Sequence, residues 1–350
     1  MGNIKNFKII NMTSDSIKLF IECFNINGST KELNRTIWQY FDNPVKSSVV
    51  KIAYDNNKER TAGIYAISCL KFKIGSDIVV ASQSMDTITD INYRGQGLFV
   101  DLAVEVYNNA VKSNIKLVYG FPNGKSVHGF IKHLNWRLLD PVPFLIKPLR
   151  SKYFLRKNSL LNLLPNIVLP IIKRHSTKYK IFEKLEVPDD ANKIWQEFSK
   201  SINVSIVRDK EYLLWRYINK PNENYRIAHC YDDNNNYLGY IIYSIKNKHD
   251  GIIGYIMELI YDPNYPDVAK DLLRYASNDL AKNKADCILA WSLEHSPNFK
   301  TFRKQFFFKM PARLRPIELH FGVLSLDTQI ESIISDRKNW YLSYSDSDTV

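Results

Sequence analysis

Four consecutive residues, Arg94-Gly95-Gln96-Gly97, combine side-chain types that suit the binding of an anion. Because the two glycines have no Cβ, a ligand can approach the backbone closely there, and the Arg94 guanidinium adds a charged, forked set of hydrogen-bond donors. Apolar residues then recur at three- and four-residue spacing from Leu98 to Ala110, which predicts a helix that begins directly after the loop. The free amide hydrogens and the dipole of such a helix start favour a phosphate group.

The spacing within the loop excludes two common nucleotide-binding motifs. Neither Lys-Ser nor Lys-Thr follows the second glycine, which excludes a P-loop, and the G-x-G-x-x-G pattern of dinucleotide sites is missing. A glycine turn before an ordinary helix is the other interpretation of these four residues. The apolar strand that precedes the loop favours the phosphate site, because strand, loop and helix then come in the order that such a site requires.

The elements that must position this loop follow from the apolar pattern. Before the loop we predict a strand, two helices and three strands, at residues 7–10, 15–24, 31–41, 49–54, 62–72 and 78–87. After the loop and its helix, the pattern predicts a buried strand at 116–121 and a helix at 126–134. We therefore expect an α/β fold with a mixed sheet.

The second half of the chain repeats features of the first. Trp38 recurs as Trp215 at a shift of 177 residues, and Asn92-Tyr93 recurs as Asn264-Tyr265 at a shift of 172. A near-constant shift across several predicted elements indicates an internal duplication. At the position of the glycine loop the second copy has Pro266-Asp267-Val268-Ala269, and its aspartate would repel a phosphate. The sequence therefore predicts one cofactor site, in the first half.

The repeat defines the predicted domain organisation. We predict an N-terminal domain at 1–149, a linker at 150–179, a degenerate second copy at 180–325 and a tail at 326–350. The linker has no acidic residue, and its basic clusters flank an apolar run. Such a pattern can rest peripherally on an anionic membrane, or its apolar residues can pack on a domain while its charges stay solvated. The sequence leaves both interpretations open.

Composition limits the class of protein and its partners. The chain has 350 residues, 45% of them hydrophobic, and a formal net charge of +12. That charge favours anionic partners such as phosphate-bearing cofactors, acidic glycans, nucleic acid or a membrane surface, although a codon bias towards Asn, Lys and Ile would produce it too. The four scattered cysteines and seven histidines form no metal-ligand pattern, so we expect reduced thiols, no metal and a cytoplasmic location. We find no signal peptide and no apolar run long enough to span a membrane.

With these residues in place, the sequence resembles the GNAT superfamily of acyl-CoA-dependent N-acetyltransferases, and most of all its tandem members from bacterial surface-polysaccharide genes. The resemblance is carried by Tyr93-Arg94-Gly95-Gln96-Gly97, by Asn123, Ser126, Phe130 and Leu134-Asn135-Trp136, and by Trp38-Gln39-Tyr40 followed by Asn43-Pro44. It is most specific over residues 1–149 and degenerate over 180–325. It implies tandem GNAT-like domains, the second degenerate, with acetyl-CoA or another acyl-CoA as cofactor.

The resemblance also implies where that cofactor binds. The pyrophosphate of CoA would lie against the loop and helix start, which comprise Arg94, Gly95, Gln96, Gly97, Leu98 and Phe99. The pantetheine arm would bind backbone groups of Thr87, Ile88 and Thr89. The thioester would lie along Asn123, Ser126 and Phe130.

Two positions depart from the family pattern. Phe130 replaces the tyrosine that usually protonates the departing CoA thiolate, so either the thiolate leaves unaided or another group supplies the proton. Asn135 replaces a glycine, and asparagine tolerates the same left-handed backbone.

The expected reaction is attack of an amine on the thioester. An amine bound as ammonium must first lose a proton, so a carboxylate base acting with water is the usual helper. Asp86, on the strand that enters the loop, is the first candidate, although strand alternation decides whether it faces the cleft or the core. The second copy offers further candidates for the base or for holding the acceptor between the halves: Arg208, Tyr212, Trp215, Glu258 and Glu294.

Three functions compete on the sequence alone. The leading hypothesis is an N-acyltransferase that acts on an amino sugar or a nucleotide-linked sugar in surface-polysaccharide synthesis. An aminoacyl or peptidyl transferase of the paired GNAT-like type would suit the positive charge, because its donor is a tRNA, but it would not need a pyrophosphate loop. A CoA-binding protein without catalysis would agree with Phe130 and with the eroded second copy.

Overall fold

A computed structural model describes residues 6–155, 165–168, 178–315 and 317–347. Most of the predicted linker lies outside these residues, and with it the question whether the linker contacts a membrane or packs on a domain. Within them, no helix combines the length and the apolar character that crossing a membrane requires.

The described residues form a mixed α/β structure, as the sequence predicted. The strands are β1 (Lys8–Asn11), β2 (Ser48–Asp55), β3 (Arg60–Ile74), β4 (Asp77–Thr89), β5 (Leu117–Gly120), β6 (Arg137–Leu139), β7 (Phe144–Pro148), β8 (Lys180–Glu183), β9 (Val204–Ile206), β10 (Arg226–Tyr231), β11 (Tyr237–Lys248), β12 (Gly251–Tyr261), β13 (Cys287–Trp291), β14 (Phe308–Lys309) and β15 (Phe321–Ser325). The helices are α1 (Ile17–Ile26), α2 (Leu33–Tyr40), α3 (Leu98–Lys112), α4 (Val127–Leu134), α5 (Ser151–Leu155), α6 (Ala191–Phe198), α7 (Lys210–Leu213), α8 (Pro266–Lys282), α9 (Phe299–Lys304) and α10 (Glu331–Ile334).

Two sheets organise these elements. The first runs in the order β1-β2-β3-β4-β5-β15-β6, with β9 paired to β3, and the second runs β14-β7-β13-β12-β11-β10-β8. In each sheet three antiparallel strands, β2-β3-β4 or β10-β11-β12, lead through a helix to a parallel neighbour, β5 or β13. The two halves of the described chain therefore share one strand pattern.

Each face of the first sheet is covered by helices whose apolar spacing matches their burial. Helix α3 buries Leu98, Leu102 and Val106, the side chains that the sequence assigned to its apolar face. On the opposite face α1 buries Phe20 and Phe24, one turn apart. The two clusters contain different strand residues, so this sheet separates two hydrophobic cores.

Each half contributes strands to the sheet of the other, and β9 of the second half pairs with β3 of the first sheet. Strand β7, from the predicted N-terminal domain, pairs with β13 of the second sheet, whereas β15, from the predicted second domain, inserts between β5 and β6 of the first. The predicted domain boundaries therefore cut across both sheets. Sequence periodicity reports which residues form a strand but not which sheet that strand joins.

A reciprocal tryptophan contact joins the halves. The rings of Trp38 and Trp215 stack with centroids 4.5 Å apart and an angle of 11° between their planes. The Trp38 indole N–H donates to the Trp215 carbonyl at 2.7 Å, and the Trp215 indole N–H donates to the Trp38 carbonyl at 2.9 Å. Both residues are buried. The two positions that the sequence repeat equates thus meet as symmetric partners.

The C-terminal segment 340–347 is buried. Arg208, whose side chain is fully buried, donates to Glu258 at 3.0 Å and to Asp346 at 2.6 Å. Tyr341 also donates to Glu258, at 2.6 Å. These paired and hydrogen-bonded charges fix the tail against the second sheet.

The tryptophan contact generates a stability prediction. Trp38→Ala and Trp215→Ala should each lower the free energy of unfolding by about 3–5 kcal/mol, because each removes a buried ring. The double variant should cost less than the sum, by about 0.5–3 kcal/mol, because the rings contact each other. Urea denaturation of all four proteins measures this coupling.

Phe302 provides the control, because it is buried in α9 against Phe307 and belongs to the second half. Combining Phe302→Ala with Trp38→Ala should give additive losses within about 0.3–0.5 kcal/mol. Additive losses for the two tryptophans would contradict the proposed junction.

Candidate functional site

A cleft of about 660 Å³ opens in the first sheet where β4 and β5 separate. These strands are parallel, but their pairing comprises only Ser82 with Val118 and Gln83 with Tyr119. Beyond this point the two strands diverge, and α3 and α4 close the sides. The cleft is lined by β4 residues 83–89, by Arg94 and Phe99 of the loop and helix start, and by residues of the 120–136 segment.

The predicted anion loop lies at one end of this cleft. Gly95 and Gly97 have φ angles of +80° and +81°, a left-handed backbone that glycine adopts without a steric penalty. Helix α3 begins at Leu98, and its first hydrogen bond is donated by Val100 to the Gly97 carbonyl at 3.0 Å. The amide hydrogens that precede Val100 are therefore available to an anion, and Arg94 is exposed beside them.

The other predicted cofactor residues surround the same cleft. Thr87, Ile88 and Thr89 form its β4 wall. Asn123 and Ser126 lie opposite, where the Asn123 side-chain oxygen accepts from the Ser126 backbone at 3.1 Å and orders the start of α4. The structure thus brings together side chains that lie up to 43 residues apart in the sequence.

Aromatic rings cover the middle of the cleft. Phe130 packs edge-to-face on Phe99 and Trp136, with centroid distances of 5.3 and 4.6 Å. Its ring is nearly buried and carries no hydroxyl, so it provides an apolar wall without a proton donor. Asn135 ends α4 with φ at +56°, which is the left-handed conformation expected for this replacement of glycine.

Asp86 lies at a bulge in β4. Residues 86 and 87 both lie opposite Tyr65 of β3, so β4 contains one extra residue at this point. Asp86 accommodates it with a φ angle of +53°. Its side chain is 9% exposed and forms an ion pair with Lys31. Tyr40 donates to the same carboxylate at 2.9 Å.

This position gives Asp86 access to two cavities. It lines the cofactor cleft, and it also lines an adjoining pocket of about 250 Å³ formed by the start of α2 and the loop before it. Strand alternation alone did not decide whether Asp86 faces the cleft or the core. Because of the bulge, its carboxylate lies at the opening between two cavities and not in a core.

The carboxylates predicted in the second half lie elsewhere. Glu258 is buried and paired with Arg208 beneath the tail. Glu294 forms surface ion pairs with Lys309 at 2.5 Å and with Arg337 at 3.0 Å. Neither belongs to the described residues that line the cleft. Acidic residues are common, and no local pattern indicates these structural partners.

Of the predicted acceptor-holding residues, two reach a cavity between the halves. Tyr212 and Trp215 line a third pocket, which also contains Arg35, Gln39 and Met85. Arg208 does not line it and instead supports the tail. Gln39 lies in both this pocket and the one beside Asp86, so the two cavities adjoin.

Several residues of the site were missed in the sequence. Ser84 and Lys125 line the cofactor cleft, and Lys31 pairs with Asp86. Ser84 lies two residues before Asp86 on the same strand, but the bulge turns the two side chains to opposite sides, so strand alternation does not indicate it. No local pattern indicates Lys31 either, because only the fold brings the loop before α2 to the bulge.

The corresponding point of the second half carries no comparable loop. Helix α8 begins at Pro266, which lacks an N–H, and Asp267 places a carboxylate in its first turn. Both features oppose an anion. Across the part of the chain that the structure describes, no cluster of His, Cys, Asp or Glu side chains is arranged to hold a metal ion.

Comparison with known proteins agrees with this geometry. Residues 10–139 match the family described as acetyltransferase (GNAT) domain. The N-terminal region is a GNAT domain. No curated protein matched the sequence.

Solved structures share the fold over nearly the whole chain. A probable N-acyltransferase from Enterococcus faecalis is 13% identical, with a TM-score of 0.62 over 93% of this chain and 74% of that protein. N-myristoyltransferase of Saccharomyces cerevisiae, solved with myristoyl-CoA, is 12% identical, with a TM-score of 0.59 over 91% and 82%. A GCN5-related N-acetyltransferase from Anabaena variabilis is 13% identical, with a TM-score of 0.60 over 93% and 74%. Identities this low show a common fold.

The GNAT domain makes the protein a GNAT-type acyltransferase whose cofactor is acetyl-CoA or another acyl-CoA. The cleft fits that cofactor, because it joins a glycine cradle with available N–H groups to a strand wall and an aromatic cover.

Reversing the charge at the loop tests the cofactor site. Arg94→Glu should weaken CoA binding by about ten- to a hundredfold, because a charge-assisted hydrogen bond to the pyrophosphate is lost and a like charge is added. The loss should shrink as salt is raised, since Arg94 is exposed. Calorimetric titration with CoA measures it.

Lys112→Glu is the matched control, since it makes the same charge change at the exposed far end of α3. It should leave CoA affinity nearly unchanged. Equal affinities for wild type and a folded Arg94→Glu variant would place the pyrophosphate elsewhere.

Proposed function

We propose that this protein transfers an acyl group, in the first instance acetyl, from CoA to a primary amine bound beside Asp86. The observation that carries the proposal is the position of this carboxylate, which borders both the cofactor cleft and the adjoining pocket. An amine in that pocket would approach the thioester from the side opposite α3 and α4. The roles assigned to the individual residues of the cleft are part of the proposal.

The surroundings of Asp86 suit an amine acceptor. Its carboxylate pairs with the primary ammonium of Lys31, so it can hold a group of the acceptor's chemistry. Lys31 is half-buried at the end of a flexible stem and would move aside when an acceptor enters. Asp86 would then accept, directly or through water, the proton that the ammonium must lose before attack.

The cofactor residues would act mainly by positioning. The loop N–H groups and Arg94 would hold the pyrophosphate, the β4 wall at 87–89 would hold the pantetheine arm, and the aromatic rings would exclude water from the thioester. Fixing two reactants in this way can contribute up to about 7–11 kcal/mol to lowering the barrier.

We further propose that the acceptor is an amino sugar or a nucleotide-linked sugar used in surface-polysaccharide synthesis. Cationic side chains support a phosphate-bearing acceptor, because Arg35 lines both pockets beyond Asp86 and Arg216 lines the one between the halves. Arg35 pairs with Glu223 across the two halves at 3.2 Å. A ligand there would contact both halves at once.

The second half is, in this proposal, a degenerate copy of the GNAT domain that builds the acceptor side. The shared strand pattern, the reciprocal Trp38–Trp215 contact and the altered start of α8 support a duplication followed by loss of the second cofactor site. The domains at 1–149 and 180–325 are the two copies.

Incubation with acyl-CoA and candidate amines tests the function. We expect release of free CoA and an acylated product by mass spectrometry with acetyl-CoA and an amino sugar or nucleotide-linked amino sugar. A series of longer acyl-CoAs measures the acyl-chain preference. Transfer only from aminoacyl-tRNA, abolished by ribonuclease, would replace the proposal with the aminoacyl-transferase alternative.

Asp86→Asn tests the proposed base. The variant should lower kcat by about 10²–10⁴-fold, because an amide cannot accept the ammonium proton. Its affinity for CoA should be nearly unchanged, since the carboxylate acts on the acceptor. Steady-state kinetics and CoA titration, with circular dichroism as a folding check, measure both quantities.

Asp77→Asn is the control for this variant, because it makes the same change at an exposed position at the start of β4. It should retain wild-type kcat. If Asp86→Asn also retains most activity, Asp86 serves only to anchor Lys31 and Tyr40, and the assigned base is wrong.

A further inference from the structure

Three hydroxyl groups form a chain through the core on the α3 side of the first sheet. Ser84 lines the cofactor cleft, and its Oγ lies 3.1 Å from the hydroxyl oxygen of Tyr65. The Tyr65 oxygen lies 2.5 Å from that of Tyr107 on α3. Tyr107 in turn lines a surface groove at the other side of α3. The hydroxyls therefore run from the cleft to a buried tyrosine whose side chain borders the groove.

A donor-only group sets the direction of this chain. The indole N–H of Trp136 donates to the Tyr107 oxygen at 2.9 Å, and an indole has no acceptor to offer in return. Tyr107 is then best satisfied by donating to Tyr65, which donates to Ser84. Such a chain of hydrogen bonds is cooperative. The Ser84 hydroxyl hydrogen is left to point into the cleft.

The cleft end of the chain lies near Phe130, beside which the thioester is proposed to bind. Ser84 shares the cleft with Phe130, the residue without a hydroxyl, and Tyr65 packs 6.4 Å from the Phe130 ring between centroids. Burial raises the pKa of Tyr65 and of Tyr107 well above the usual phenol range, so both phenols keep their protons at neutral pH.

We propose that Ser84 donates the proton to the departing CoA thiolate and that Tyr65 and Tyr107 replenish it. This inference rests on acyl transfer in the proposed cleft. The amine nitrogen bonds to the carbonyl carbon, the carbon–sulfur bond breaks, and its electron pair stays on sulfur. Sulfur takes the Ser84 proton as one proton shifts from Tyr65 to Ser84, one from Tyr107 to Tyr65, and one from solvent to Tyr107. The proton of the amine leaves on the other side, through Asp86 or water.

The bound thiol of CoA itself reports this contact, so no acceptor is required. A hydroxyl donor stabilises the thiolate, and hydrogen bonds to charged groups are the strong ones. In the wild-type complex the CoA thiol should therefore ionise about one to two pH units lower than in Ser84→Ala. The measurement is ultraviolet absorption of the thiolate during a pH titration of the CoA complex.

Three variants separate a proton donor from a merely structural serine. Ser82→Ala removes another hydroxyl from the same strand, one that donates to the Leu117 carbonyl at 3.3 Å, and should titrate like wild type. Adding Phe130→Tyr to Ser84→Ala should lower the pKa of the bound CoA thiol towards its wild-type value, because a phenol again reaches the sulfur. Tyr65→Phe keeps Ser84 but removes the hydroxyl that donates to it. In this variant the pKa of the bound CoA thiol should lie between the values for wild type and Ser84→Ala.

The outcomes are distinct. Equal thiol titration in wild type and Ser84→Ala, with CoA bound to both, would overturn the hydroxyl chain and leave the cofactor site standing. Failure of wild type to bind CoA would overturn the site and the hydroxyl chain together. The donor would be established if the pKa of the bound CoA thiol is low in wild type, rises in Ser84→Ala, and falls again when Phe130→Tyr is added.

Discussion

Neither sheet of this protein is complete without a strand from the other half. Strand β15 holds β5 on the side away from β4, so the second half fixes one wall of the opening in which the cofactor is proposed to bind. Strand β7 does the same for β13. The stacked Trp38 and Trp215 rings lie where the halves meet and fix their relative position. A second half without an anion loop is thus still required for the site in the first.

Because of the bulge in β4, the proposed proton donor and the proposed base lie on opposite sides of the same strand. Ser84, before the bulge, faces the core under α3, and Asp86, at the bulge, faces α2 and the acceptor pocket. A non-glycine residue at positive φ carries a conformational cost that the surrounding contacts must offset, here those from Lys31 and Tyr40. The proposed mechanism places thiolate protonation on one side and amine deprotonation on the other.

The sequence predicted what is local and missed what is not. The glycine loop, α3 and the left-handed Asn135 follow from short patterns of glycine, apolar spacing and turn-forming residues. The strand exchange could not be predicted, because pairing between distant strands leaves no periodic signal. The face of Asp86 depends on one inserted residue that shifts the register. The hydroxyl chain joins residues 65, 84 and 107, which share no motif. No local pattern distinguishes Glu258 and Glu294 from other acidic residues of the second half.

A crystal structure of the acetyl-CoA complex tests the proposed site most directly. We expect the pyrophosphate against the N–H groups after Gly95, the thioester sulfur beside Ser84 and Phe130, and the acetyl group directed towards Asp86. A cofactor bound at α8 in the second half, or one whose thioester lies away from the β4 bulge, would contradict this assignment.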